Sequence, residues 1–490
     1  MKKIFVPFAC LSLLCLTMQA MAEDAATVDA LNVRISRIEN GLLPQTVIKG
    51  RPLQPMRLAE RMAALKVPGL SIAIIHQGKL EWARGYGYAD AVSKQPVTVE
   101  TRFQAASISK PVTAMAALAL VERGSLNLDG DVNQQLLSWK LPGNAFTDKQ
   151  VVSLRGLLNH TAGINVHGFP GYAASQDVPS LVDVLEGKKP ANSAAVRVTA
   201  LPGSAWSYSG GGYSIVQLLM TDASHESFPV LMKKTVLDKL GMEHSSFELP
   251  ENWQSMAASG HLANGKPVPG KWHRYPEMAA ASLWTTPSDL ALFAIEIQQS
   301  SVGKSNKVLS PEMARKMLTP SKLKDYGLGV FLSPVTDKQA GFGHSGSNEG
   351  YRTMLTTFTS TGQGAALMTN SENGSELIQE VLRAISMEYG WTDYKVVEKI
   401  ARAGDANEYK SLAGEYVLAG YPVIITAEAD RLYVKAAPLG GDQQELFAAL
   451  DGSFFMLNNT VSLRFEKDAN GDVSALVVER GGKSIGKKIK

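Results

Sequence analysis

The chain has 490 residues, 45% of them hydrophobic and 19% charged, which is the composition of an ordinary globular protein with room for one large domain or two. Lysine and arginine number 49 against 46 acidic residues. With no basic stripe or single-sign block, that balance argues against nucleic acid as a partner and leaves a small molecule or short peptide as the expected substrate. Both cysteines, Cys10 and Cys15, fall in an N-terminal segment expected to be removed, so the mature chain is read as having no disulfide, thiol nucleophile or Cys-bound metal.

That segment reads as a signal peptide over residues 1–22. Lys2 and Lys3 form a charged start, Ile4 to Leu16 is apolar, and Ala20-Met21-Ala22 is a small-residue cleavage site ahead of Glu23-Asp24. The apolar run is shorter than the ~18 residues that span a bilayer. Leu13-Leu14-Cys15 approaches a lipidation box, but Leu14 is too bulky for the position before a lipidated cysteine. The expectation is a periplasmic or secreted protein with no stable membrane anchor.

Residues from Glu23 to about Lys66 read as partly helical. Gly69 to His76 is a buried strand, turning at Gln77-Gly78-Lys79 into a hairpin partner, Leu80 to Tyr86. Phe103 to Val121 is an apolar, alanine-rich helix that tolerates Pro111 in its first turn, ends at Gly124, and belongs at the centre of a domain. From about Gln150 to Ser300, helices alternate with Gly- and Pro-rich loops. Strands return at Tyr326 to Phe331, Gly341 to His344, Tyr351 to Phe358 and Gln363 to Thr369, followed by a helix from about Ser375 to Tyr389. Strands early and late with helices between predict an α/β (α+β) sandwich over residues 23–405, its antiparallel sheet assembled from both ends of the chain beside a helical region. Past Arg402-Ala403-Gly404-Asp405 come short strands at close spacing: Gly414 to Leu418, Val423 to Ala427, Arg431 to Lys435, Glu445 to Ala449, Phe454 to Leu457, Ser462 to Phe465 and Val473 to Glu479. They predict a separate small all-β domain, sandwich or barrel, over residues 406–490.

Ser107-Ile108-Ser109-Lys110 is an S-x-x-K element. The same spacing recurs at Ser301/Lys304, Ser321/Lys324 and Ser484/Lys487, so spacing alone does not select it. Context does, because only Ser107 opens a long apolar helix, with Lys110 on the same helical face. A serine hydroxyl attacks a carbonyl only once a base takes its proton. A lysine becomes that base when burial lowers its pKa, and a helix start offers N–H groups to a developing oxyanion. Tyr208-Ser209-Gly210 stands at a loop-to-helix junction ahead of Ser214 to Met220. Tyr208 there is a proton relay if nearby cations lower its pKa, or simply a buried aromatic at a glycine turn. Gly343-His344-Ser345-Gly346-Ser347 nearly spells the G-x-S-x-G elbow that would make Ser345 the nucleophile. Its fifth residue is serine, however, and a strand follows where a helix is required. On a strand, His344-Ser345-Gly346 can line a site, with Gly346 admitting substrate. Asp468, Asn470, Asp472, Ser474 and Glu479 imitate a calcium loop, but Val473 stands where glycine is needed, and Asn470-Gly471 reads as a hairpin turn. No metal or organic cofactor is expected.

Taken in order, Phe103 to Lys110, Leu157-Leu158-Asn159-His160-Thr161-Ala162-Gly163, Tyr208-Ser209-Gly210, Ala280 to Leu290 and His344-Ser345-Gly346 resemble the serine β-lactamase and penicillin-binding-protein superfamily, in its class C-like branch with esterases and D-aminopeptidases. The resemblance spans roughly Val67 to Tyr389. It implies that Ser107 forms an acyl-enzyme, that Lys110 and Tyr208 share the proton transfers, and that His344, Ser345, Gly346 and Ser347 line the substrate site. The backbone N–H groups of Ser107 and Ser347 would form the oxyanion hole. Two positions depart from the pattern: Gly210 stands where the tyrosine motif usually ends in asparagine, and His344 where true β-lactamases have lysine. Losing a fixed cation points away from β-lactams and C-terminal carboxylates, toward other esters or amides, D-amino-acid peptides among them. A β-lactamase or D-alanyl carboxypeptidase, and a weakly or non-catalytic penicillin-binding sensor, remain the alternatives.

Overall fold

The computed structural model describes residues 28–333, 340–437, 443–479 and 482–490. The signal-peptide segment, both cysteines and the cleavage site lie outside them. Contacts divide the chain into two compact units, one of residues 61–378 and one of the residues up to 60 together with 379–490. No helix among the described residues is long and apolar enough to cross a membrane.

The first unit is built on a seven-stranded sheet. Strand β1 (Gly69–His76) is buried almost throughout and pairs antiparallel with β2 (Lys79–Asp90). The turn between them has Gln77 at φ 52° and Gly78 at φ 71°, the left-handed pair that matches strand twist in a tight hairpin. β3 (Gln95–Pro96) closes one edge, where proline's missing N–H leaves no bond unmade. The rest comes from late in the chain: β4 (Phe331–Ser333), β5 (Gly341–Asn348), β6 (Tyr351–Phe358) and β7 (Gln363–Thr369). The order is β3-β2-β1-β7-β6-β5-β4 with antiparallel neighbours throughout. The β1–β7 pairing joins the two ends of the chain, Ile72 opposite Leu367, as the strand pattern predicts. Tyr326 to Phe331 is not a strand. It is a loop closed by a single bridge between those two residues, because Gly327 and Gly329, the latter at φ 94°, turn the backbone on itself.

Helix α1 (Ser109–Glu122) is buried from Ser109 to Leu120, the central position its composition predicts. It starts later than Phe103, however. Phe103–Gln104 is a short strand paired with Trp284–Thr285, and Ala106–Ile108 is a single 3₁₀ turn. Helix α2 (Gly210–Ser224) starts earlier than expected, on three glycines with poor intrinsic propensity. Its start is fixed by the Ser209 Oγ, which accepts the Gly212 N–H, and by burial of Tyr213, Ile215 and Val216. The short helix α3 (Met278–Ala281) lies against α1 and α2. Helix α4 (Pro287–Ser301), capped by the Thr286 hydroxyl on the Asp289 N–H, packs on β1 and β7. A helix at Gly374–Tyr389 follows the sheet.

Toward the C-terminus the chain forms a closed eight-stranded barrel: β8 (Gly414–Leu418), β9 (Tyr421–Glu428), β10 (Arg431–Ala436), β11 (Gln444–Ala448), β12 (Phe454–Phe455), β13 (Ser462–Lys467), β14 (Val473–Glu479) and β15 (Lys483–Lys488). Tyr416, Ile425, Leu432, Phe454 and Leu476 fill its interior. Seven strands are readable by alternation. The eighth escapes it because β15 is lysine-rich and turns only Gly486 fully inward. Between β13 and β14 the Asp468 carboxylate accepts the N–H groups of Asn470 and Asp472, so the imitation calcium loop is a hairpin turn.

Candidate active site

Ser107 sits on the 3₁₀ turn that feeds α1. The residue before it, Ala106, has φ 51°, a left-handed conformation that a Cβ disfavours by roughly 1–2 kcal/mol. Packing on both sides holds it there. Ser109 Oγ donates to the Ala106 carbonyl at 2.6 Å and accepts the Leu283 N–H at 2.9 Å, and the Ala105 N–H bonds the Leu283 carbonyl at 2.7 Å. Thr353 Oγ1 on β6 donates to the Ala105 carbonyl at 3.0 Å. A Cβ added at Gly346 would stand 2.2 Å from that same carbonyl oxygen. In the structure Gly346 admits the backbone leading to Ser107.

Three residues later Lys110, 2% exposed, points its Nζ back along α1. The ammonium donates to Ser107 Oγ at 3.1 Å and to the Ala280 carbonyl on α3 at 2.8 Å. It lies 5.0 Å from the Tyr208 ring centroid and 5.7 Å from that of Tyr213. Burial brings its pKa down to about 7, so near neutral pH a large fraction is the free amine.

Tyr208, from the loop ahead of α2, brings its hydroxyl close to Ser107. Burial pushes its pKa up, and the interaction with Ser107 offsets only part of the rise. The phenol therefore stays protonated, with no cation lowering its pKa enough to ionise it. His344 on β5 is buried. Burial first, then the charge of Lys110, brings its pKa down to about 3, and it is neutral at pH 7. Its Nδ1 is 2.6 Å from the Ser345 carbonyl, its Nε2 is buried with no hydrogen-bond partner among the described residues, and its ring is 6.0 Å from that of Tyr208. Ser345 and Ser347 are exposed on the opposite face of β5 from His344 and Asn348 in its alternating pattern.

The structure thus brings together Ser107, Lys110, Tyr208 and His344, with β5 running past the Ser107 turn. It adds residues that sequence reasoning did not single out. Ala280 contributes only a carbonyl, which no side-chain pattern reveals. Asn348 Nδ2 donates to Gln104 Oε1 at 2.7 Å and to the Ala281 carbonyl at 3.0 Å, tying β5 to α3. Glu277, immediately before α3, is buried with no other residue, among those described, bonded to its carboxyl oxygens, and burial raises its pKa to about 7 against a small opposing effect of its own N–H. The signal for His160 was its place in Leu157 to Gly163; its ring lies 4.3 Å from that of Tyr208.

A family model described as Beta-lactamase matches residues 57–385. The chain belongs to the β-lactamase family. This β-lactamase-family chain is 26% identical over 439 residues to Penicillin-binding protein 4* of Bacillus subtilis (strain 168), covering 82% of this chain and 91% of that protein. It is similar to the octameric penicillin-binding protein homologue from Pyrococcus abyssi with TM-score 0.62 at 23% identity, over 88% of this chain and 98% of that one. It also resembles the D-amino acid amidase from Ochrobactrum anthropi SV3, with TM-score 0.55 at 21% identity, over 67% and 96% of the two chains. These two likenesses show the fold. One departure of this β-lactamase-family chain has a structural counterpart: a Cβ at Gly210 would lie 3.1 Å from the Phe169 ring and 3.2 Å from the His167 carbonyl. A side chain there would require Phe169 or His167 to shift by a few tenths of an ångström.

Proposed function

We propose that the protein hydrolyses esters or amides without a carboxylate beside the scissile bond, D-amino-acid derivatives among them, through an acyl-enzyme on Ser107. The observation that carries this is the buried Lys110 amine, 3.1 Å from Ser107 Oγ with a pKa of about 7. As Oγ attacks the carbonyl carbon, neutral Lys110 takes its proton. The C–O bond to Ser107 forms, charge collects on the carbonyl oxygen, and the N–H groups of Ser107 and Ser347 are the donors assigned to it. Tyr208, protonated and beside Ser107, passes its proton to the leaving nitrogen or oxygen and recovers one from Lys110. The bond to the leaving group breaks. Water then attacks the ester carbonyl of the acyl-enzyme, gives up a proton to the same relay, and Ser107 departs reprotonated. These steps use only the named groups and one water.

A neutral His344 supports the choice of substrate, because a carboxylate would meet no fixed charge from it. The likeness to a D-amino acid amidase agrees with that choice. The relative named Penicillin-binding protein 4* supports a second reading, in which penicillin acylates Ser107 and turnover is slow. Release of p-nitrophenol from short-chain esters, measured beside D-amino-acid p-nitroanilides and nitrocefin, separates the two. Stoichiometric labelling without turnover on any of these substrates selects the second. The cationic start, apolar run and small-residue site of residues 1–22 support export, and the N-terminal sequence of the mature protein, beginning at Glu23, tests it.

A further inference from the structure

His160 belongs to the end of the helix Leu154–Leu158. Asn159 is the last half-helical residue, and His160 follows at φ 64°. The Thr161 N–H returns to the Gly156 carbonyl at 2.9 Å, the six-to-one bond of a Schellman turn. The residue at this place in the turn is normally glycine, because a Cβ is unwelcome in the left-handed region. Leu157 to Gly163 keeps a histidine there, so the backbone alone does not account for the choice.

The side chain does account for it. The His160 carbonyl accepts the Ser207 N–H at 2.9 Å, and its Nδ1 accepts the Ser209 N–H at 3.1 Å. These are the N–H groups of the residues on either side of Tyr208. Between the two bonds the imidazole lies against the Tyr208 ring, centroids 4.3 Å apart and planes tilted by 39°. One residue therefore grips Tyr208 at three points, and no hydrogen bond runs to the phenol itself. The geometry points to His160 as a positioning residue that sets the Tyr208 hydroxyl on Ser107 Oγ. This rests on the assignment of Tyr208 to proton transfer made above.

The grip requires Nδ1 as an acceptor, hence the neutral ring with its proton on Nε2. The surroundings favour that form. The ring is buried among Tyr208, Tyr213, Tyr326 and Trp206, and burial first, then any charge on Lys110, disfavours the imidazolium. Among the described residues the Nε2 atom has no hydrogen-bond partner, so the δ side carries the directional contact.

The test is a pair of variants crossed with Tyr208→Phe. His160→Gly suits the left-handed turn but removes the acceptor and the ring. His160→Asn also tolerates that conformation and carries an oxygen at the δ position. With a p-nitrophenyl ester, His160→Gly is expected to lower kcat about 30-fold with KM within about threefold, the size of effect a small misplacement of a catalytic group produces. His160→Asn is expected to recover kcat to within about fivefold of wild type. Tyr208→Phe alone should cost about 100-fold, but less than about threefold when added to His160→Gly. A full Tyr208→Phe loss in the His160→Gly background overturns the inference, as does wild-type kcat in His160→Gly. Should His160→Gly not fold, His160→Gln, which keeps bulk but moves the oxygen one bond further, takes its place in the cycle with the same expectation. Wild-type kcat in Tyr208→Phe alone removes the role of Tyr208 and this inference with it. That failure is distinguishable because it appears with His160 intact.

Discussion

The Ala280 carbonyl accepts a hydrogen bond from Lys110 Nζ at 2.8 Å, and this contact aims a buried lysine at Ser107. In a dry site a cation costs free energy unless it is well paired. A carbonyl, a hydroxyl and two ring faces solvate the ammonium only in part, which leaves its pKa near 7 and not near 10.

Activity should therefore rise with pH through about 7 as Lys110 loses its proton. His344, with its pKa brought down to about 3, is neutral throughout and adds no second limb there. A kcat/KM profile for a neutral ester between pH 5 and 9 measures this. Lys110→Arg, which cannot deprotonate, should lose activity by about 10³-fold at every pH. A flat profile in the wild type contradicts the assignment of Lys110 as base.

The same shift has a stability consequence. The folded pKa of Lys110 lies below its unfolded value, so between about pH 7 and 10 the unfolded chain binds more protons and stability increases with pH. Below pH 7 the full cost is present, roughly 5 kcal/mol as an upper figure at 1.36 kcal/mol per unit. Lys110→Met should melt a few degrees above wild type at pH 6, with the gap closing toward pH 10. Thermal melts across that range decide it, and a gap independent of pH counts against the mechanism.

Glu277 runs the other way. Burial raises its pKa to about 7, so between about pH 4.5 and 7 the folded chain holds the extra proton and stability falls as pH rises. Glu277→Gln should match wild type near pH 4 and be more stable at pH 8, by about 3 kcal/mol at most. Paired denaturant titrations at the two pH values measure it; equal stability at pH 8 would rule out a buried, unpartnered carboxylate.

Gly346→Ala should be costly for a reason that has nothing to do with backbone freedom. Its Cβ would lie 2.2 Å from both the Ala105 carbonyl oxygen and Thr353 Oγ1, pushing the Ser107 turn off β5. Overpacking of this kind costs about 1–3 kcal/mol, and labelling of Ser107 should slow by at least about tenfold. A variant that labels at the wild-type rate shows that the turn can be placed without that contact.

His344→Lys should restore a cation beside the site. The ratio of kcat/KM for a substrate with a free C-terminal carboxylate to that for its methyl ester should rise about tenfold, one charge-assisted contact being worth about 1.4 kcal/mol or more. An unchanged ratio means that residue 344 does not meet that end of the substrate.

The sheet and its two-ended assembly were legible because β1 is a nearly continuous apolar run, and β6 and β7 carry aromatic, β-branched and apolar residues between turn residues. Ser107 and Lys110 were legible because the helix after them is apolar on every side. The start of that helix was not, since Ala106 adopts its left-handed conformation through contacts with Leu283 and Gly346, residues far away in sequence. Tyr208 lies beside Ser107 in the structure, but its protonation was not readable from sequence. That depends on burial of the phenol, and burial outweighs any cation nearby. Strand β15 was hidden by its lysines. His160 carried no periodic signal at all, because its Schellman turn and its hold on Tyr208 exist only once residues 160 and 209 meet.

The central claim is that Ser107, and not Ser345, is acylated. Intact-mass analysis after reaction with a fluorophosphonate, for wild type, Ser107→Ala and Ser345→Ala, tests it most directly. One adduct per chain is expected in wild type and in Ser345→Ala, and none in Ser107→Ala. An adduct that persists in Ser107→Ala contradicts it.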